Sequence, residues 1–274
     1  MRWTPGDRGN IEDARGGSGF RMGGGVVPIG LGGLILLALF SWLTGTNFLS
    51  LLNSTEQPAP TDQSSPVASS PAEEREVDFV DAMMKDIQTT WQMLLPGYRP
   101  TRVVLFRDVI QSSCGMAESA TGPFYCPQDQ RVYLDLGFFQ EMSQRLGAPG
   151  EFARAYVIAH EVGHHVQRQA GILGSGTNAS SVRIELQADC LAGVWGHYAA
   201  QPGRAAKGQV ELEAGDMEQG LNAAAAIGDD RLQRMTTGSV MPDRFTHGTS
   251  AQRVEWLKRG LTTGDPNACD TSGN

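Results

Sequence analysis

The sequence predicts an α+β domain, a small sheet backed by a mostly helical remainder and built around one helix that carries H-E-x-x-H. Three observations predict it. Two short runs, RVVLFRD (102–108) and QRVYLDL (130–136), have the length and β-branched or aromatic content of strands. Longer segments repeat their apolar residues at helical spacing, as in FVDAMMKDIQTTWQMLL (79–95), with Val80, Met83, Met84, Ile87, Trp91 and Leu94 on one side. The third is AYVIAHEVGHHVQ, whose helical spacing puts His160 and His164 one above the other, with Glu161 between them.

The 274 residues carry a net charge of -8, which excludes a general electrostatic footprint for nucleic acid. Residues 1–25 are polar and Gly-rich without an apolar period and read as a disordered cytoplasmic tail. From Val26 to Leu43 runs VVPIGLGGLILLALFSWL, 18 residues without a charge, enough to cross about 30 Å of hydrocarbon, so 26–45 reads as a transmembrane helix. A cleavable signal peptide fits less well, because 25 residues precede the run and no A-x-A site follows it. Arg2, Arg8, Arg15 and Arg21 lie before it, and the next basic residue is Arg75. That bias predicts a single-pass protein of the cytoplasmic membrane with its N-terminus in the cytoplasm and everything after the span outside. Residues 46–76 are a Pro/Ser-rich linker, and 77–272 form the folded domain.

Within that domain, the helix at 79–95 stops at Pro96-Gly97, the strand at 102–108 follows, and a long irregular loop runs through Cys114 and Gly122 to the strand at 130–136. Phe138–Arg145 is helical. EFARAYVIAHEVGHHVQRQA (151–170) is the motif helix, ended by Gly171, and SVRIELQADCLAGVWGHYAA (181–200) is a second long helix. Further helices are expected at 212–227 and, with Thr249 or Ser250 as N-cap, at 250–260. The four cysteines all follow the apolar run, and an even count outside the cytoplasm favours disulfides. Cys114 and Cys126 enclose a short segment and are expected to pair, leaving Cys190 to hold the C-terminal tail through Cys269. Four buried free thiols are the alternative.

His160 and His164 can supply two ligands to one zinc ion, and a catalytic zinc needs a third. His165 points about 100° away around the helix and reads as a packing residue or one that supports a metal ligand from behind. His197 and His247 are possible. Glu185 is the better candidate, because the next helix can fold back antiparallel and deliver its carboxylate. Asp189, one turn on, can accept a hydrogen bond from a ligand imidazole. The apolar neighbours Ile184, Leu186, Ala188, Cys190 and Leu191 bury this helix, and buried acids need partners.

The segments MRW…NIEDARG, GPFYCPQDQRVYLDL, AHEVGHHVQ, RIELQADCLAGVW and FTHGTSAQRVEWLKRG, in that order, resemble the neutral zinc metallopeptidase family of single-pass bacterial membrane proteins and, more broadly, the gluzincin peptidases. They cover most of the chain outside the linker, with no substitution at the metal positions. The resemblance implies a zincin-like fold, His160, His164 and Glu185 as ligands to one Zn2+, Glu161 as catalytic base and a local role for Asp189. The expected activity is a membrane-anchored endopeptidase acting on extracytoplasmic proteins or peptides. A second donor for the oxyanion would come from His247 or Tyr133. The plainer readings are a cross-strand packing aromatic for Tyr133 and a helix-capping turn residue for His247. The strand at 130–136 could be a sheet edge on which an extended peptide adds. Two other functions fit the same metal residues: a zinc-stabilised binding or assembly module, which has no use for Glu161, and a zinc hydrolase of a non-peptide amide such as a cell-wall bond.

Overall fold

The computed structural model describes residues 1–16, 69–119, 122–173 and 178–271. The expected span at 26–45 and all but the end of the expected linker lie outside them. Among the described residues, no helix is long and apolar enough to cross a membrane.

The first helix, α1 (Pro71–Leu94), starts six residues before the expected boundary at 77. Ser70 caps it by accepting the Glu73 N–H, Pro71 stands in its first turn, and Glu73 and Glu74 face its positive end. Its stripe of Val77, Val80, Met83, Met84, Ile87 and Trp91 is buried in the core, as the spacing requires. Six strands are described: β1 (Ile11–Asp13), β2 (Arg102–Phe106), β3 (Val109–Ser112), β4 (Gly115–Glu118), β5 (Phe124–Cys126) and β6 (Arg131–Asp135). Four form one sheet in the order β1-β2-β6-β5, with β1, β2 and β6 parallel and β5 antiparallel to β6. Period-2 alternation sends Val103, Leu105, Val132 and Leu134 into the main core and Val104, Phe106 and Tyr133 to the opposite face.

Two expectations about this sheet need correction. The strand at 130–136 is not an edge: β6 lies between β2 and β5, and the edge on that side is β5. The segment read as a long irregular loop in fact holds the β3–β4 hairpin and β5, tied together by the Cys114–Cys126 disulfide. These strands are three or four residues long, too short to show a period.

Residues 1–25 are not throughout a disordered tail, because residues 1–16 pack into the same folded unit as the helices. Strand β1 pairs with β2 in the register Ile11↔Val103. Trp3 meets Phe79 edge-on at 5.5 Å and donates to Glu151 at 3.2 Å. Asp81, fully buried on α1, accepts from the backbone N–H groups of Arg8 (3.0 Å) and Asn10 (3.1 Å) and from the Asn10 side chain (3.1 Å). The buried Arg15 guanidinium pairs with Asp13, Glu73 and Glu74. Polar contacts with distant residues, rather than local propensity, order this segment.

The remaining helices are α2 (Gly137–Gln144), α3 (Glu151–Gln169), α4 (Asn178–Ala199), α5 (Asp216–Ala226), α6 (Asp229–Thr237) and α7 (Ser250–Thr263). Thr249 caps α7 through a reciprocal capping box with Gln252. Helix α6 was not anticipated: DDRLQRMTT buries only Asp229 and offers no apolar stripe to read. Helices α3, α4 and α7 meet at glycines. A Cβ on Gly163 would lie 3.1 Å from the Ala188 carbonyl, and one on Gly260 would lie 1.9 Å from the Cys190 carbonyl. Gly260 requires a residue without a side chain, and Gly163 is a tight approach.

Two outcomes test the docked N-terminus. Asp81→Ala strips three donors of their acceptor, at a cost of about 1–3 kcal/mol. Trypsin should then cut after Arg8 or Arg15 under conditions that leave the wild type intact, read by mass spectrometry of the released peptide. The second concerns pH. Hydrogen bonds from Ser69, Arg8 and Arg15 pull the Glu74 carboxyl down to about 2. A folded-state pKa below the unfolded value of about 4.3 stabilises above that value and is lost as pH falls toward about 2. The fluorescence difference between wild type and Trp3→Phe should collapse across that window.

Candidate metal centre

Helix α3 places His160 and His164 one turn apart, their rings edge-to-face with centroids 4.8 Å apart. Each imidazole is held at Nδ1. His160 Nδ1 lies 2.8 Å from Asp189 Oδ1, and His164 Nδ1 lies 2.9 Å from Gln167 Oε1. Both acceptors select the tautomer with the proton on Nδ1, which leaves the Nε2 lone pair for a cation. Those Nε2 atoms face one carboxylate on α4: His160 Nε2 is 3.1 Å from Glu185 Oε2, and His164 Nε2 is 3.5 Å from Glu185 Oε1. One ligand atom from each of the three residues lies within 4.8 Å of the other two.

This set fits zinc. Tetrahedral bonds of about 2.0–2.2 Å put neighbouring ligand atoms about 3.3–3.6 Å apart, close to the separations observed. The electrostatics agree. Burial works against an imidazolium at His160, yet Asp189 and Glu185 outweigh it and raise its pKa to about 10. Burial likewise opposes ionisation of Glu185, but His164 and His160 hold its carboxyl well below the ordinary range. The cluster stabilises positive charge in a place closed to most solvent.

Asp189 is fully buried and its partners are complete. Oδ1 accepts from the Tyr156 hydroxyl (2.6 Å) and Arg253 Nη2 (2.8 Å) besides facing His160, and Oδ2 accepts from Arg253 Nε (2.9 Å). Glu161, only 7% exposed, makes its own contribution to the wall of the cavity. Burial pushes its carboxyl up, against the pull of His160 and His164.

The cavity over the cluster measures about 600 Å³. His160, Glu161, His164, Glu185, Tyr156, His247 and Arg253 line it, together with the apolar side chains of Phe138, Val157, Ile227, Leu232 and Met235. A larger cleft of about 940 Å³, beside Asp135 and Arg154, contains none of the histidines. His247 is therefore brought to the site. Its Nδ1 lies 3.2 Å from Asp229 Oδ1, and Asp229 Oδ2 accepts the backbone N–H groups of Thr246, His247 and Gly248. The cap of α7 is Thr249, so His247 has no capping role.

Tyr133 is not at the site. It sits on the far face of the sheet, stacked on Phe124 at 4.9 Å, with its hydroxyl donated to Asp129 at 2.8 Å, and does not line the cavity. The packing reading is the right one for it. His197 faces the Leu261 carbonyl, and His165 is bonded to Tyr125 and the Arg99 carbonyl, so neither is a ligand. Both expected disulfides, Cys114–Cys126 and Cys190–Cys269, are present. Sequence reasoning missed Arg253, Tyr156, Gln167 and Asp229. Gln167, at i+3 from His164, and Tyr156, at i−4 from His160, carried a local signal on the same helix face.

Residues 1–272 match the family described as "Putative neutral zinc metallopeptidase". The chain belongs to this family. The match starts at residue 1 and so takes in the segment that forms β1. Among curated relatives, "Uncharacterized protein YpfJ" of Escherichia coli (strain K12) is 44% identical over 299 residues, covering 100% of this chain and 99% of that protein. "Uncharacterized protein Rv2575" of Mycobacterium tuberculosis (strain H37Rv) is 46% identical over 202 residues, covering 70% of this chain and 69% of that protein. No solved structure matches the chain. Membership in a zinc metallopeptidase family implies zinc, and the His160–His164–Glu185 cluster is able to hold it.

Removing Asp189 should damage both fold and metal site. Asp189→Ala leaves the Arg253 charge buried without its partner, a loss of about 3–5 kcal/mol in chemical denaturation. Zinc affinity should fall about 10–100-fold by chelator competition.

Proposed function

We propose that the protein is a zinc-dependent endopeptidase of zincin-like architecture, using one ion held by His160, His164 and Glu185. One observation carries this reading: Glu161 is buried on the cavity wall beside a cluster that has three ligands among the described residues. A structural zinc site is closed by four ligands and has no use for a free carboxylate. Zinc bound there would acidify a water molecule and polarise a carbonyl group. Glu161 would accept the water's proton and pass it to the leaving amine, and burial raises its affinity for that proton. His247, aimed by Asp229 and Thr246, is the donor for the carbonyl oxygen as it gains charge.

Two features support a peptide as substrate. Strand β5 is the sheet edge, and its Phe124 and Tyr125 line the cavity, so an extended main chain can add along it. The apolar wall of Val157, Ile227, Leu232 and Met235 suits a hydrophobic side chain beside the cleaved bond. For the compartment, two disulfides support an oxidising one, and the uncharged run at 26–45 supports attachment to a membrane. Residues 1–16 pack with the metal helices, which supports placing both on the same side rather than across a bilayer from one another.

The test uses the full chain and a denatured protein as substrate. Cleavage should be abolished by a chelator and restored by zinc. Glu161→Gln should retain one zinc per chain yet lose at least about a hundredfold in rate. Cleavage indifferent to chelation or to Glu161→Gln would overturn the reading, and cleavage of cell-wall fragments but not protein would redirect it to another amide.

A further inference from the structure

We infer that Gln167 is the positioning residue for His164, fixing which of its nitrogens is free to bind metal; this rests on the zinc site proposed above. Gln167 is fully buried, so no solvent can replace its partners. Its Oε1 lies 2.9 Å from His164 Nδ1. Its Nε2 donates to the Ile184 carbonyl (2.7 Å) and to Gln187 Oε1 (2.9 Å). A primary amide has two N–H donors, and here two acceptors take both. The nitrogen must therefore face Ile184 and Gln187, and the oxygen must face His164.

Turning the amide over would set its oxygen against two other oxygens and leave the fully buried Gln167 oxygen without a donor. It would also put N–H against His164 Nδ1, forcing the imidazole proton onto Nε2 and closing the metal-binding lone pair. The orientation of Gln187 is fixed in its turn, because its Nε2 donates to the Cys269 carbonyl at 3.0 Å. Cys269 is bonded to Cys190, on the helix that carries Glu185. The direction of the amide dipoles thus runs from a carbonyl pinned by a disulfide to the metal-facing imidazole. His160 is treated differently: its Nδ1 faces a carboxylate, which cannot be turned over.

Two substitutions in the full chain separate positioning from simple structural tying. Zinc affinity is read by chelator competition, and the His164 tautomer is read by 15N NMR in the zinc-free protein at a pH high enough to leave its ring neutral. Gln167→Met removes acceptor and donors alike. His164 should then populate the Nε2–H tautomer, and zinc affinity should fall about 10–100-fold. Gln167→Glu keeps the acceptor and gives up both donors, and its zinc affinity should stay within about threefold of wild type. If Gln167 only ties α3 to α4, the two variants should weaken zinc binding alike, and that result would overturn the proposal. An unaltered His164 tautomer in Gln167→Met would do the same. Wild type that takes up no zinc would instead sink the zinc reading, while the tautomer measurement would still decide the role of Gln167.

Discussion

A carboxylate enclosed by three helices sets the terms for the rest of the domain. Asp189 has no contact with solvent, and stripping an ion of water costs several kcal/mol unless every lone pair finds a donor. The donors come from two other helices, Tyr156 and His160 on α3 and Arg253 on α7. Bonds of 2.6–2.9 Å leave little room between helix backbones. The same close packing has Gly163 against Ala188 and Gly260 against Cys190, where a side chain on Gly260 would force the helices apart. The gain from such a network is chiefly specificity of arrangement, because charge attraction and desolvation largely cancel. The same bonds orient His160, so the packing of the core and the aim of a metal ligand are one constraint.

Asp81 applies the same rule at the other end of the molecule. Its buried carboxylate is satisfied by the backbone of residues 8–10, and this holds β1 against β2. The sheet gains its outer parallel strand from a segment whose composition resembles an unfolded tail. Polarity and glycine content describe what a segment can do alone. They say nothing of a buried acid sixty or more residues away that needs its N–H groups.

This marks the division between what the residues disclosed and what they did not. Helix α3 was legible because its apolar period is long and its chemistry is local: His160, Glu161 and His164 lie within five residues. Glu185 and Asp189 were legible because acids on an otherwise apolar helix must have a reason to be buried. Thr249 or Ser250 as a cap announced α7, and the capping box of Thr249 with Gln252 spans four consecutive positions. Arg253 and Asp229 were not legible, since their partners lie far off in sequence and ordinary surface helices carry the same residue types. Tyr133 misled because alternation in a strand reveals two faces without revealing which one the metal helix covers.

His165 shows how closely the motif helix is used. It stands next to a metal-facing histidine, yet its imidazole points toward the sheet. Its Nδ1 lies 2.9 Å from the Tyr125 hydroxyl on β5, and its Nε2 lies 2.7 Å from the Arg99 carbonyl. Burial lowers its pKa, so the ring is neutral near pH 7 and must hold its single proton on one nitrogen. The Gln169 side-chain nitrogen also lies 2.7 Å from Nε2, so three neighbours hold this ring. His164 instead faces the Gln167 carbonyl oxygen through Nδ1 and turns Nε2 toward Glu185. Two adjacent residues of one type thus do different work because the helix turns them toward different neighbours. One leaves a lone pair for a cation. The other fixes the edge strand beside it, so the distance from the metal ligands to the place where a peptide would lie is set by the rise of a single helix.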